Sequence, residues 1–396
     1  MVEGEEFKSN LLARSLGLEE SPVSIFGWVQ GSFTANPAHP SNHVNFGVFP
    51  NYKSNEWMTQ QVFLAIEKRI PSKEADEYGW GFRLDQLYGT DYLQLHMNGF
   101  LDGVFPADDL GYEPTQFYGE VHLPWLTKGG IEIKGGRFLS LGGYEDPYAP
   151  GRPLHSASYM FAYAQPFTHF GMMTTWHVTD RVNLYNGAVN GWDRWINANY
   201  RWGYAGGLSW DSKDERTNAS LTFNVGPNQF PRFFGANYNF APNGVPAPPF
   251  LASRRNLLYG RDIALLITGV VSHEWNDQLT SVVESDYGHE SNVPGFGPGG
   301  TPDDAQWYGL AGWLLYDFDE KLTGVYRAEI FRDEHGIRTG SNNTYYETTL
   351  GLIWKPRPWF WVRPELRYDW TQGSPVYNDG KSHTQFTFGT DMIFLF

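Results

Sequence analysis

The segment Trp359 to Trp370, WFWVRPELRYDW, alternates between two kinds of side chain. One parity carries the apolar and aromatic side chains Phe360, Val362, Leu366, Tyr368 and Trp370. The other carries the charged side chains Arg363, Glu365, Arg367 and Asp369. A period of two places successive side chains on opposite faces of a β-strand. The segment therefore predicts a strand with one face for lipid and one for water, as in a transmembrane β-barrel.

The same alternation recurs from residue 23 onward, in segments that are separated by turn residues. It is clear in Thr217 to Val225 and in Leu322 to Phe331. The last segment, His383 to Phe396, places on one parity Phe386, Phe388, Met392, Phe394 and Phe396. That ending resembles the C-terminal strand that the barrel-assembly machinery of bacterial outer membranes recognises. We therefore expect this machinery to be a partner of the chain.

The connections alternate between short and long, as in antiparallel barrels with short periplasmic turns and long outer loops. The short ones are 179–181, 211–215, 275–278, 317–321 and 355–358, and the long ones are 36–55, 99–114, 227–255, 288–303 and 372–382. Counting Ala157 to Ala164 as a strand gives an odd number of strands and breaks this alternation. Leaving it out predicts about sixteen strands. It also predicts a long third loop, from Ser140 to roughly Phe167, which we expect to fold into the lumen.

Composition favours a barrel over other membrane or soluble classes. Aromatic residues make up 17% of the 396 residues, yet the mean hydropathy is -0.45, a mixture that suits strands with one lipid-facing and one wet face. No apolar run approaches the roughly 18 to 20 residues of a membrane helix. The formal net charge of -15 argues against nucleic acid as a partner, and in a pore it would favour cations.

The chain divides into an N-terminal extension, residues 1–22, and the barrel, residues 23–396. Within the extension, Phe7 to Leu18 spaces its apolar residues as a short helix would. We favour a loosely ordered extension on the periplasmic side, and the alternative is a plug that enters the lumen. The opening residues Met1 to Glu6 lack the regions of a secretory signal, so we expect a mature form.

Charged side chains on the inward parity are the candidates for lining the pore and its constriction, where charge and width set selectivity. They are Arg83, Asp85, Glu120, Arg327, Glu329, Arg363, Glu365, Arg367 and Asp369 on the wall and Glu145, Asp146 and Arg152 in the third loop. Acidic loop residues that face basic wall residues would create a field across the constriction. The alternative is that pairs such as Arg363 and Glu365 only neutralise one another on a solvated wall.

The sequence predicts no catalytic, cofactor or metal site. Because cysteine is absent, only His and carboxylates remain as metal ligands, and His39 and His43 lie in a Pro- and Asn-rich segment rather than on a helix. The carboxylate pairs Asp108-Asp109, Asp303-Asp304 and Asp333-Glu334 fall in or beside predicted outer loops. Their spacing selects no acid–base or nucleophilic set.

A series of short motifs runs through the predicted barrel. They are Trp80 to Asp85, Gly136 to Phe138, Gly142 to Glu145, Gln165 to His169, Val189 to Asp193, Gln306 to Gly309, Tyr346 to Leu352, Val362 to Trp370 and Gln385 to Gly389. Together they resemble the OmpL-like family of bacterial outer-membrane β-barrel porins. The resemblance implies an all-β barrel surrounded by outer-membrane lipids, but it brings no motif that fixes the solute. By analogy with sixteen-stranded porins, we expect a homotrimer.

The leading expectation is an outer-membrane porin that allows passive diffusion of small polar solutes or ions, with a preference for cations. One alternative is a barrel enzyme acting at the outer rim. Its side chains would have to come from His39, His43, His155, His169, Asp102, Asp108 and Asp109. The other alternative is a structural or adhesive barrel whose lumen is blocked by the N-terminal segment or the third loop.

Overall fold

A computed structural model describes residues 11–70, 77–97, 99–101, 104, 109–195, 201–227, 263–293, 301 and 303–396. Within these residues, sixteen antiparallel strands form a closed barrel, in which β1 pairs with β16. The strands are β1 Val23–Ala35, β2 Trp57–Lys68, β3 Gly79–Gly89, β4 Gly111–Leu123, β5 Ile131–Leu139, β6 Thr168–Thr179, β7 Val182–Val189, β8 Gly203–Asp211, β9 Thr217–Pro227, β10 Ile263–Glu274, β11 Leu279–Val293, β12 Asp303–Asp319, β13 Leu322–Asp333, β14 Asn343–Arg357, β15 Phe360–Gln372 and β16 Thr384–Leu395. Closure leaves no unpaired strand edge, as a membrane-spanning sheet requires. The predicted strand count is confirmed.

Side chains alternate between the inside and the outside of the barrel, as predicted. In β15 the charged parity, including Arg367 and Asp369, is buried inside, while Leu366 and Tyr368 are exposed outside. The outside of β16 carries Phe386, Phe388, Met392 and Phe394. Among the described residues, no helix is long and apolar enough to cross a membrane.

Short connections lie at one end of the barrel, and they follow the predicted positions closely. Asp180 and Arg181 alone separate β6 from β7, and residues 275–278 separate β10 from β11. At the other end, β4 begins at Gly111 and β11 ends at Val293, so two of the long loops are shorter than predicted. Most of the predicted loop 227–255 lies outside the described residues.

The third loop, residues 140–167, lies inside the barrel. It contains a 3₁₀ turn, Ala149–Gly151, and a π-helical turn, Met160–Ala164. From Arg152 to Phe167, every side chain except that of Ala162 is buried. The prediction that residues 157–164 are part of an inserted loop, rather than a membrane-crossing strand, is confirmed.

Aromatic side chains on the inner wall pack against this loop. Trp28 stacks on Phe63 with ring centroids 3.9 Å apart, and the edge of Trp28 meets the loop residue Tyr148. Further along the same wall, Tyr345 of β14 stacks on the loop residue Tyr159 with ring centroids 5.1 Å apart. Burying a large apolar side chain contributes about 1.5–3 kcal/mol, so these contacts fix the loop strongly. The lumen therefore has an apolar core on part of its wall.

The N-terminal segment contains one short helix, α1 Leu11–Ser15, before β1 begins at Val23. Ala13 of this helix is buried. Residues 1–10 lie outside the described part of the chain. The division into an extension and a barrel therefore stays a prediction, although the start of β1 agrees with it.

We expect the Leu366→Arg substitution to destabilise the barrel by about 2–4 kcal/mol, because it places a charge at the middle of a lipid-facing strand. The matched control is Trp359→Arg, at the end of the same hairpin, where a charge costs at most about 1 kcal/mol. Urea titration of both variants folded into phospholipid vesicles measures the difference. Equal losses at the two positions would show that this face does not meet lipid.

Candidate functional site

Carboxylates of the inner wall accept hydrogen bonds from main-chain N–H groups of the third loop. Glu329 accepts from the amides of Tyr159 and Met160, both at 2.6 Å. Glu365 accepts from the amide of Ser156 through both of its oxygens, at 3.1 and 3.0 Å. Because the loop is not part of the sheet, its buried N–H groups need such partners.

Arg327 complements these carboxylates by donating to the loop from the same wall. Its guanidinium donates to Glu145 and to the carbonyl oxygen of Ser156, both at 2.7 Å. It also donates to Glu347 of β14 at 2.9 Å. Such a guanidinium presents several donors in a fixed plane, so one residue can join wall and loop.

Two further arginines bind main-chain carbonyl oxygens of the loop. Arg363 donates to the carbonyl oxygen of Ala149 at 2.8 Å and to Asp391 at 3.0 Å. Arg367 donates to the carbonyl oxygen of Ala157 at 2.7 Å and is held by Asp369 on its own strand. Together with Arg327, these residues form a row of arginines on β13 and β15 that follows the loop.

Arg83 and Asp85 of β3 hold the loop from another part of the same wall. Asp85 accepts from the hydroxyl of Tyr148 at 2.7 Å and from Gln116 at 2.6 Å. Arg83 orients Asp85 through a 2.8 Å bond and also donates to Glu67 at 3.0 Å. The ring of Tyr148 is thereby fixed between β3 and β4.

The remaining candidate charges of the loop stabilise its own shape. Asp146 accepts from the amide of Tyr148 at 2.8 Å, and buried Arg152 donates to the carbonyl oxygen of Leu154 at 3.3 Å. Burial, together with the nearby Arg363, lowers the pKa of Arg152 from its ordinary value. Burial also lowers the pKa of the loop residue His155, which favours its neutral form.

All the candidate pore residues except Glu120 are therefore buried against the loop or within it. The wall residues among them face the inside of the barrel. The loop carbonyls and amides that they contact carry no signal in the sequence, because every residue has such groups.

Part of the inner wall remains open to water on the side of β4 to β7. We call it the exposed strip, and it consists of Tyr118, Glu120, Glu132, Lys134, His177 and Tyr185. The exposed fraction of the side chain is 14% for Glu120, 27% for Lys134 and 32% for Glu132. By contrast, the side chains of Arg327 and Arg367, across the lumen from this strip, are completely buried. Within the described residues, a solute inside the barrel can meet ionisable side chains along this strip.

Opposite charges alternate along the exposed strip. Lys134 lies 3.8 Å from Glu120 and 4.3 Å from the ring centroid of Tyr118. His177 lies 3.5 Å from Glu132. Of these charged residues, only Glu120 is among the pore-lining residues predicted from the sequence; Glu132, Lys134 and His177 are not. The alternation of Ile131 and Ile133 with Glu132 and Lys134 is the signal that could have found two of them.

The side chains considered for an enzyme lie in separate surroundings. His43 is 3.2 Å from Glu56, whereas His155 is buried 3.7 Å from Asp391. Asp102 and Asp108 lie outside the described residues. In the described part of the chain, no three or more His, Cys, Asp or Glu side chains are grouped to hold a metal ion.

Solved structures with the same fold are outer-membrane proteins. The chain is 10% identical to the outer membrane channel DcaP of Acinetobacter baumannii, with 94% of this chain and 97% of that chain covered and a TM-score of 0.57. It is 10% identical to the anion-selective porin from Comamonas acidovorans, with 94% of this chain and 99% of that chain covered and a TM-score of 0.60. It is 11% identical to OprB of Pseudomonas putida, with 97% of this chain and 96% of that chain covered and a TM-score of 0.57. At these identities the likeness shows the fold alone.

No curated protein sequence matches the chain significantly. A family model does match, and it spans the whole barrel, residues 22–396. Its description is "Putative beta-barrel porin-2, OmpL-like". The match agrees with the resemblance seen in the motifs and with the closed barrel that holds its third loop inside. The chain therefore belongs to the OmpL-like β-barrel porin family of the bacterial outer membrane.

Proposed function

We propose that solutes cross this porin through a narrowed channel between the third loop and the exposed strip. The observation that carries the proposal is the contrast between the two sides of the lumen. The wall from β13 to β3 is sealed by the loop, whereas the wall of β4 to β7 keeps polar and charged side chains exposed. A channel bounded in this way admits small polar solutes and ions, and its lining sets their selectivity.

A preference for cations fits the charges along this route. The exposed strip carries two carboxylates, Glu120 and Glu132, together with one lysine, Lys134, and one histidine, His177. Below another part of the wall, the turns after β10, β12 and β14 surround a cavity of about 380 Å³ that is lined by Asp277, Gln278, Asp317, Phe318, Asp319, Glu320, Thr323 and Lys355. Excess negative charge at one mouth of a pore raises the local concentration of cations there.

The buried candidate charges have a different role in this proposal. Arg327, Glu329, Arg363, Glu365, Arg367 and their partners position the third loop and thereby set the width of the channel. Arg327, Arg363 and Arg367 are paired with carboxylates inside the protein, so they contribute little to ion selectivity. The exposed strip sets that selectivity instead.

We also propose how the barrel is assembled and where its N-terminal segment lies. The C-terminal strand serves as the signal for the barrel-assembly machinery, and its end is tied to β1 by the paired main-chain bonds of Phe396 with Gly27. The barrels associate as a homotrimer. Residues 1–22 lie on the periplasmic side, and the chain performs no catalysis.

Purified protein in planar lipid bilayers should produce steady conductance steps proportional to voltage, because the channel needs no moving part. Single-channel recording in symmetric KCl checks this. Consistent silence of folded protein would instead identify a blocked structural or adhesive barrel.

Substitutions on the exposed strip should shift ion selectivity in opposite directions. Glu120→Gln removes a negative charge and should move the reversal potential in a KCl gradient toward anion preference, whereas Lys134→Met should move it toward cations. The control is Asp214→Asn, an exposed turn residue outside the strip. Unchanged reversal potentials for both strip variants would place the ion route elsewhere.

Arg327→Met should destabilise the barrel by about 3–5 kcal/mol, because it leaves Glu145 and Glu347 buried without their partner. It should also make the conductance noisy, since the third loop loses a contact. The control is Lys134→Met, whose partly exposed pair should contribute at most about 1 kcal/mol. Urea unfolding and current recordings measure the two effects, and equal stability of both variants would contradict the role of Arg327.

A further inference from the structure

Two buried carboxylates of the lumen lack the arginine partners that others have. Glu284 and Asp286 are alternate residues of β11, so both point into the barrel, and each is only 2% exposed. Within the described residues, neither makes an ion pair. Gln165 of the third loop donates one amide to both, at 2.5 and 2.8 Å, and the amide of Tyr144 donates to Glu284 at 2.7 Å. Neutral donors leave the buried negative charge uncompensated.

Two threonines on the neighbouring strands β9 and β10 lie level with Asp286 in the sheet. Strand register aligns Thr222 of β9 with Thr268 of β10, and Thr268 with Asp286. Thr222 is 3% exposed, and its Oγ1 makes no hydrogen bond within the described residues. Oγ1 of Thr268 and Oδ1 of Asp286 have no described partner other than each other. A buried polar atom without a hydrogen-bond partner needs an explanation, and a bound ion is one of those available.

Side-chain oxygens of Thr222, Thr268 and Gln165 border an open space beside Gly142 of the third loop. A Cβ atom placed on Gly142 would have as its nearest neighbours Thr268 Oγ1 at 3.6 Å, Thr222 Oγ1 at 3.7 Å and Gln165 Oε1 at 3.9 Å. Nothing lies closer to that point among the described atoms. Gly142 itself is half-buried, whereas Thr222, Thr268 and Asp286 are buried.

We propose that this space binds a divalent cation, Ca²⁺, through Asp286, Thr222, Thr268 and Gln165, with Glu284 balancing its second charge. The donors are all oxygens, which hard cations prefer, whereas many transition metals prefer sulfur or imidazole ligands. Their mixture of carboxylate, amide and hydroxyl oxygens, contributed by wall and loop together, suits the flexible coordination of Ca²⁺ better than the compact octahedron of Mg²⁺. The bound ion joins the base of the third loop to β9, β10 and β11. This goes beyond the proposed solute channel and does not depend on it.

Calorimetric titration of the detergent-solubilised full-length barrel with CaCl₂, after removal of bound metal by a chelator, tests the proposal. The unsubstituted protein should bind one Ca²⁺ per chain saturably, and its melting temperature should rise with Ca²⁺. Gly142→Ala should weaken binding at least tenfold. Its methyl group would fill the space while meeting no described atom closer than 3.6 Å, so the barrel should still fold.

Asp286→Asn and Thr222→Val should weaken binding as well, since each removes one ligand. The control Asp214→Asn removes an exposed carboxylate from a turn and should bind as the unsubstituted protein does. Heat-dependent migration on gels confirms that each variant is folded. Absence of saturable binding, equal affinity for Mg²⁺, or unchanged binding in folded Gly142→Ala and Thr222→Val would overturn the proposal.

Discussion

The arrangement of the lumen depends on hydrogen bonds between side chains of the inner wall and the main chain of the third loop. A segment of chain inside a barrel has no strand neighbours, so its N–H and C=O groups must find other partners. Glu329 and Glu365 supply acceptors, and Arg327, Arg363 and Arg367 supply donors. Without them, insertion of the loop would bury unpaired polar groups, and the narrowed lumen would not form.

The barrel itself could be predicted because its pattern is local and repeated. The alternation in β15 and β16 states directly which side chains face lipid, since lipid and water impose opposite demands on neighbouring residues. The inserted loop followed from a topological argument. Ala157 to Ala164 resembles a strand in composition, yet an antiparallel barrel cannot accept it without reversing every later connection. Tertiary context therefore overrode local propensity at this segment.

The site could be predicted only in part. Parity placed Arg363 and Arg367 inside, but it could not show whether they meet water or the loop, because their partners are main-chain atoms. The alternation also did not predict that the rings of Trp307 and Trp313 are buried inside the barrel. A barrel interior is expected to be polar, but here it is apolar where the third loop packs against the wall. Contacts between residues far apart in sequence, such as Arg327 with Ser156, cannot be read from a single chain.

The wall recognises the third loop mainly through atoms that every amino acid possesses. Glu329 binds two consecutive amides, and Arg367 binds a carbonyl oxygen, whatever side chains those positions carry. Side-chain substitutions along the loop can therefore change the width of the channel without breaking the hydrogen bonds that hold the loop in the lumen. The wall thus holds the third loop independently of the loop's own side chains. Related chains can therefore acquire different permeabilities while keeping one set of wall residues.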